Sequence, residues 1–225
     1  MPIPDRASGH PPHQLLAVQE AAVAKLAYVA EQPGAAAVLC GPPGTGKSLV
    51  LEAVGRMLEK AGHSCRLVRW QALRESPCGD WPDVLLVDSV DDAGEGELAA
   101  VLSLCWATHP QTRIVLAGSG RLLTLVSRDR RLERQIGLRA VLTPCSRAET
   151  RHMVANIVAG GPHQTDLSVT ATAVADTIHE ITGGIPADID RLAGLAAVVA
   201  ADRSAATLTP EVIERVHQRL AVTAA

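Results

Sequence analysis

Gly41-Pro42-Pro43-Gly44-Thr45-Gly46-Lys47-Ser48 is the stretch that decides how this chain folds. It meets the spacing G-x-x-x-x-G-K-[ST] at every fixed position, the pattern of a loop that wraps phosphate groups with its own backbone. A polyphosphate needs several N–H groups converging on it, so side chains must be missing where the chain curls. Gly41, Gly44 and Gly46 meet that need, because glycine reaches left-handed dihedrals and lets backbone approach closely. Lys47 has the reach to meet the β- and γ-phosphates, and the Ser48 hydroxyl can ligate Mg²⁺.

The flanks suit such a loop. Ala35-Ala36-Ala37-Val38-Leu39-Cys40 reads as a short buried strand. Leu49, Val50, Ala53, Val54, Met57, Leu58 and Ala61 then keep a helical period until Gly62 stops it. Strand, glycine loop and helix N-terminus follow one another in the order an anion site requires.

Outward from there, strand and helix alternate. Leu15 to Ala30 predicts a first helix, ended by Pro33-Gly34. Cys65 to Trp70 alternates as a second strand, Pro77 to Pro82 is a loop, and Val84-Leu85-Leu86-Val87-Asp88 is an apolar run that suits a central parallel strand. Leu98 to Trp106 reads as helix, Arg113 to Ala117 as the next strand, Arg121 to Gln135 as one arginine-rich helix, and Ala140-Val141-Leu142 as a short fifth strand. This alternation predicts a doubly wound parallel sheet. From Ser146 no strand pattern remains. Ser146-Arg147-Ala148-Glu149 is a capping box opening a helix to about Ala159, followed by the break Gly160-Gly161-Pro162. Helices near Thr170–Ile181 and after Gly183-Gly184-Ile185-Pro186 follow, and Thr209-Pro210 starts a last one. We expect an α/β core over residues 1–145 and a helical lid over 146–225.

Composition narrows the function classes. With 47% hydrophobic residues, 2% aromatic and no phenylalanine, Ala, Leu and Val must form the core. A net charge of −3 and few aromatics weigh against whole-protein attraction to nucleic acid and against an extended base-stacking platform. The five cysteines, Cys40, Cys65, Cys78, Cys105 and Cys145, are far apart and form no C-x-x-C pair, which fits small hydrophobes in a reducing compartment. Pro2, Pro4, Asp5 and the His10–His13 region interrupt any signal-peptide core. The longest apolar run, Leu192 to Ala201, is too short to span a bilayer. The expectation is a soluble, cytoplasmic protein with no membrane insertion.

Asp88 closes the run from Val84, and a carboxylate at the C-terminal end of a buried strand is where an α/β sheet meets its ligand. Asp88 is thus the natural partner of Ser48 around Mg²⁺. Ser89 follows it, and a serine hydroxyl is no general base at neutral pH without help. Asp91 and Asp92 lie a few residues on; they are either substitutes for that base or solvated turn residues.

In this order the elements resemble the AAA+ ATPases, and within them the bacterial ExeA/TniB-like branch of general-secretion and transposition ATPases. Gly41 to Ser48 resembles Walker A and Val84 to Asp88 Walker B. Ile114-Val115-Leu116-Ala117-Gly118-Ser119 is similar to the sensor-1 strand, with Ser119 as its polar group. Leu132 to Arg139, then Leu142-Thr143-Pro144 and Glu149-Thr150, resembles the passage from an oligomer-facing helix into the lid. Gly183-Gly184-Ile185-Pro186 is similar to the lid motif that commonly continues with the sensor-2 arginine.

The resemblance implies a P-loop core with a five-stranded parallel sheet of order 5-1-4-3-2, and ATP with Mg²⁺ bound between core and lid. It implies nucleotide contacts from Gly41, Pro42, Pro43, Gly44, Thr45, Gly46, Lys47, Ser48 and Leu49, and in the lid from Ile185, Pro186 and Arg191. Adenine would be met by the segment before Ala35 and by the lid near Ile185. Metal would be held by Ser48 and Asp88, and Lys47, Asp88, Asp91, Asp92, Ser119 and Arg134 form the catalytic set. Members assemble into rings or filaments in which a neighbour's arginine neutralises phosphoryl charge; Arg130, Arg131 and Arg134 are the candidates, with Arg134 first. Two departures stand out. Ser89 occupies the place of the usual catalytic glutamate, and Ala187 that of the sensor-2 arginine, with Arg191 one turn later either reaching the phosphates or pairing with Asp188 or Asp190. Three function classes follow: an ATPase that switches self-assembly or affinity for a protein client, a hydrolysis-deficient ATP-gated scaffold, and a DNA-associated regulator of the transposition type. For the last, Arg121, Arg128, Arg130, Arg131, Arg134 and Arg139 would form a local basic rim.

Overall fold

Three apolar runs become the interior of one sheet. β1 (Ala36–Cys40), β3 (Val84–Asp88) and β4 (Arg113–Gly118) are buried along nearly their whole length. β2 (Cys65–Arg69) and β5 (Ile136–Val141) flank them in the parallel order β2-β3-β4-β1-β5, the expected 5-1-4-3-2 viewed from the other edge. In this computed structural model residues 15–30, 32, 34–75, 81–159, 169–202 and 208–223 are described. Pro33, most of the Pro77–Pro82 loop with Cys78, the Gly160-Gly161-Pro162 break, and the Pro2, Pro4, Asp5 and His10–His13 positions lie outside them.

Successive residues of a strand face opposite sides of the sheet, so a strand covered on both sides must be apolar throughout. Ala36, Val38, Leu85, Val87, Ile114 and Leu116 point to one side, where Trp70, Leu98, Leu102 and Leu122 cover them. Ala37, Leu39, Val84, Leu86, Val115 and Ala117 point to the other, against Leu26, Val50, Leu51, Val54 and Leu58. The first layer comes from α3 (Trp70–Glu75), α4 (Glu97–Thr108) and α5 (Gly120–Arg128), the second from α1 (Ala17–Ala30) and α2 (Lys47–Lys60). Each leucine so buried contributes on the order of 2 kcal/mol. With no phenylalanine, Trp70 is among the largest fully buried side chains.

The sequence reading departs from the structure in three places. The first helix starts at Ala17 rather than Leu15. α3 directly follows β2 and carries no long periodic signal. The arginine-rich helix is two helices, α5 and α6 (Arg130–Gln135), because Asp129 adopts extended backbone and caps the second: its carboxylate accepts from the N–H groups of Arg131 (2.8 Å) and Leu132 (3.1 Å). The strand after it therefore begins at Ile136, earlier than Ala140, and pairs with β1 through an irregularity at Ala36/Ala37; Leu142 lies just past its end.

The chain divides into two compact units, Met1–Thr143 and Pro144–Ala225. The second is helical: α7 (Arg147–Ala159), α8 (Val169–Thr182), α9 (Pro186–Asp202) and α10 (Pro210–Thr223). Val154, Val158, Ile178, Ile189, Leu192 and Ile213 are among its buried residues. Its capping box forms: the Ser146 N–H and hydroxyl each donate to Glu149 Oε2 at 2.7 Å. Before α9, Gly184 has φ 76° and lies so near Cys145 that a Cβ would come within 2.4 Å of the Cys145 carbonyl oxygen. Cys40, Cys65, Cys105 and Cys145 form no disulfide with one another. Among the described residues no helix is long and apolar enough to cross a membrane.

Candidate functional site

The loop from Gly41 leaves β1 at the C-terminal edge of the sheet and closes into α2, a helix of 14 residues. Its entry is pinned by the Gly41 N–H donating to the Gly118 carbonyl at 3.2 Å, and a turn follows, with the Thr45 hydroxyl donating to the Pro42 carbonyl at 2.8 Å. Gly44 and Gly46 have φ of 80° and 89°, the left-handed region that other residues avoid. Gly41 is required for a different reason: a Cβ there would sit 2.7 Å from the Leu142 carbonyl oxygen. The result is a glycine-bearing turn that runs straight into a helix N-terminus, the arrangement that favours an anion.

Lys47 curls back over the loop. Its Nζ donates to the carbonyls of Gly41 (2.8 Å) and Pro42 (2.9 Å). Burial pulls its pKa below the ordinary lysine value, and the carboxylates of Asp91 and Asp88 oppose that shift. Beside it the Ser48 hydroxyl donates to Asp88 Oδ2 at 2.6 Å, joining the two residues expected to share Mg²⁺ although they are 40 positions apart. A hydroxyl and a carboxylate are the hard oxygen donors that Mg²⁺ takes, so the pair fits that ion.

Ser89 is a non-glycine residue with positive φ, 58°, and its N–H donates to Asp88 Oδ1 at 2.7 Å. The chain then makes a 3₁₀ turn over Val90–Asp92 that carries Asp91 back toward the sheet. Asp91 Oδ1 accepts from both the N–H (2.6 Å) and the hydroxyl (2.8 Å) of Ser119. That hydroxyl also accepts from the Arg121 N–H at 3.3 Å and caps α5. The buried Cys40 thiol is pushed up to about 11, first by burial and then by Asp91.

Lys47, Ser48, Asp88, Asp91 and Ser119 thus gather at the ends of β1, β3 and β4. Asp92 is exposed and makes no hydrogen bond or ion pair among the described residues. Leu49 is half-buried, its Cδ1 about 3.7 Å from where a Cβ on Gly46 would lie. Pro42, Pro43 and Gly44 are exposed, while Thr45 is buried. Arg134 is exposed and donates from Nε to the Arg130 carbonyl at 3.1 Å. In the second unit Ile185 is half-buried, Pro186 opens α9, and Arg191 donates to Asp188 Oδ1 at 3.0 Å.

Two functional relationships escape the sequence reading. One is the Asp91–Ser119 pair, which depends on how two loops fold toward each other. The other is Gln19 of α1, only 3% exposed, whose Nε2 donates to the Thr45 carbonyl at 3.0 Å. Its signal is present in the sequence: Gln19 lies on the helical face of Ala22, Leu26 and Val29, a polar residue in a buried stripe.

No family model and no curated protein matches the chain. Solved structures do resemble it. The Thermotoga maritima RuvB Holliday junction branch migration motor superposes with a TM-score of 0.62 at 16% identity, covering 90% of this chain and 69% of that one. The Aeropyrum pernix ORC2 protein, in ADPNP–ADP complexes, gives 0.64 at 13% identity, covering 93% and 69%. Drosophila ORC bound to DNA gives 0.62 at 18%, covering 93% and 62%. With the strand order above, these likenesses show the AAA+ P-loop NTPase fold.

Proposed function

We propose that the chain binds ATP with Mg²⁺ at the Gly41–Ser48 loop and hydrolyses it slowly, using the nucleotide to switch self-assembly or affinity for a protein client. The observation that carries this reading is the Ser48–Asp88 contact at 2.6 Å beside left-handed Gly44 and Gly46. A loop without Cβ atoms, a lysine and a hydroxyl–carboxylate pair form the donor set of a metal-bound polyphosphate site. A bound Mg²⁺ would screen charge on the phosphate oxygens. Phosphate oxygens would replace the two carbonyl partners of Lys47, and its proton would be easier to keep beside that charge.

For hydrolysis, ATP and water give ADP and phosphate, and a carboxylate must orient the water. Ser89 offers none. Asp91 is the substitute we favour over Asp92, since Ser119 holds Asp91 by two hydrogen bonds. The same observation supports the second reading, a hydrolysis-deficient ATP-gated scaffold, because a carboxylate engaged by Ser119 is less free to meet water. An arginine from a neighbouring copy, Arg134 first, completes the site in a ring or filament. Membership of the ExeA/TniB-like branch and a cytoplasmic setting belong to the same proposal. A DNA-associated role draws support from the basic residues of α5 and α6, and from likeness to a branch migration motor and to an ORC bound to DNA.

The test is ATP hydrolysis across a range of protein concentrations, with nucleotide affinity in parallel and Lys47→Ala as control. Lys47→Ala should lose nucleotide binding; unchanged affinity overturns the assignment of the loop. Tight binding without turnover at any concentration selects the scaffold.

A further inference from the structure

Gln19 is the one buried side chain outside the loop motif whose amide hydrogen-bonds to the phosphate loop among the described residues. Nε2 donates to the Thr45 carbonyl at 3.0 Å, and Oε1 accepts from the Leu16 N–H at 2.9 Å, at the start of α1. A carbonyl requires a donor and an N–H an acceptor, so the two partners define which way the amide faces.

The consequence lies in the peptide plane. No described peptide bond is cis, and in a planar trans peptide the N–H points opposite to the C=O. Holding the Thr45 carbonyl toward α1 therefore turns the Gly46 N–H away from α1. Gly46 has φ 89°, and a Cβ on it would lie 2.4 Å from Gln19 Nε2. Glutamine and glycine are thus matched: the absence of a side chain at Gly46 is what lets Gln19 reach Thr45.

We infer that Gln19 is a positioning residue for polyphosphate binding: it presets the Gly46 N–H toward the phosphates, so that this donor need not reorient when nucleotide arrives. The inference rests on the proposed ATP reading. Preorganisation of this kind adds affinity by removing an ordering cost. Because Oε1 also satisfies Leu16, the same side chain ties the start of α1 to the loop.

Gln19→Glu separates the two bonds. A carboxylate still accepts from the Leu16 N–H but has no proton for the Thr45 carbonyl. Gln19→Met removes both bonds at similar volume without adding charge. The full chain and both variants are titrated with ADP by calorimetry, melted without nucleotide, and labelled with [¹⁵N]glycine for amide spectra. We expect ADP affinity to fall about tenfold or more in both variants, with the nucleotide-free amide shifts confined to Gly44 and Gly46. ADP affinity within twofold of wild type in both variants overturns the inference. So does a general shift of glycine resonances with a lowered melting temperature, which reduces Gln19 to a structural residue. If one variant fails to fold, the other decides. Wild-type protein that does not bind ADP overturns the ATP reading itself, a result distinct from either.

Discussion

Asp91 and Ser119 are joined twice, by the serine N–H at 2.6 Å and its hydroxyl at 2.8 Å, both to one carboxylate oxygen. The pair links the turn after β3 to the end of β4 and gives each candidate a fixed position. It also offers a clean separation of charge from geometry. Asp91→Asn can still accept both bonds through its amide oxygen, yet cannot take a proton from water. Hydrolysis should fall roughly 10²- to 10⁴-fold with ATP affinity retained. Asp91→Ala should lose the clamp as well, with about 1–3 kcal/mol of stability. Single-turnover hydrolysis and urea denaturation check this; Asp91→Asn at the wild-type rate would remove Asp91 from the mechanism.

Ser48 and Asp88 should act together on Mg²⁺. Ser48→Ala and Asp88→Asn are each expected to bring ATP affinity with and without Mg²⁺ toward the same value. If either variant keeps the full metal dependence in calorimetry, that residue is not a ligand.

Ser89 holds a left-handed conformation without being glycine, at φ 58°. Ser89→Gly should therefore stabilise the protein by about 1 kcal/mol, which for a chain of this size is a rise in melting temperature of roughly 2–4 °C. Ser89→Ala gains nothing of the kind. Calorimetric melting of the two variants distinguishes them, and equal melting temperatures would refute the strain argument.

Acid should weaken both units through two carboxylates held by serines. Hydrogen bonds from the Ser64 N–H and hydroxyl hold Asp83 below the ordinary aspartate value, and those from Ser146 do the same for Glu149. A carboxyl whose folded pKa is lowered adds stability above its unfolded value, about 4, and loses it as pH falls through the folded one. Ser146→Ala should then cost about 1 kcal/mol at neutral pH and less in acid that protonates Glu149, where only the Glu149 N–H bond to the Ser146 hydroxyl is left to lose. Denaturation at the two pH values measures it; an equal cost at both would mean the charged form of Glu149 is not what Ser146 stabilises.

Arg134 is exposed and donates to the Arg130 carbonyl of its own helix; in the proposed assembly it would act on a neighbouring copy's nucleotide. Hydrolysis per chain should rise with protein concentration, and Arg134→Ala should abolish that rise. An arginine supplied in this way adds about 10³- to 10⁵-fold elsewhere, so the effect is measurable. A concentration-independent rate would exclude it.

Most of the sheet was legible because burial on two faces leaves a strand no polar choice: Ala36–Cys40, Val84–Asp88 and Arg113–Gly118 stand out as apolar runs. The Gly41–Ser48 loop is legible because its spacing reflects backbone geometry. The break at Asp129 was harder to see, since an aspartate inside an arginine-rich helical pattern looks like a surface charge until it caps a new helix. For a related reason β5 extends further than the apolar residues Ala140–Leu142 suggest. Its half-buried alternation from Ile136 belongs to an edge strand, and pairing with β1 rather than local preference makes it a strand.

Local chemistry, written in the order of residues, determined the loop, the alternation of elements, and the identities of Lys47, Ser48 and Asp88, because those depend on neighbours along the chain. Tertiary structure alone decided which distant groups meet. Beyond the expected Ser48–Asp88 pair, it brought Asp91 to Ser119 across 28 positions and Gln19 to Thr45 across 26. Hydrogen bonds reach only about 3 Å, and nothing in a linear sequence encodes such a distance until the strands pair and the loops at their ends are carried together.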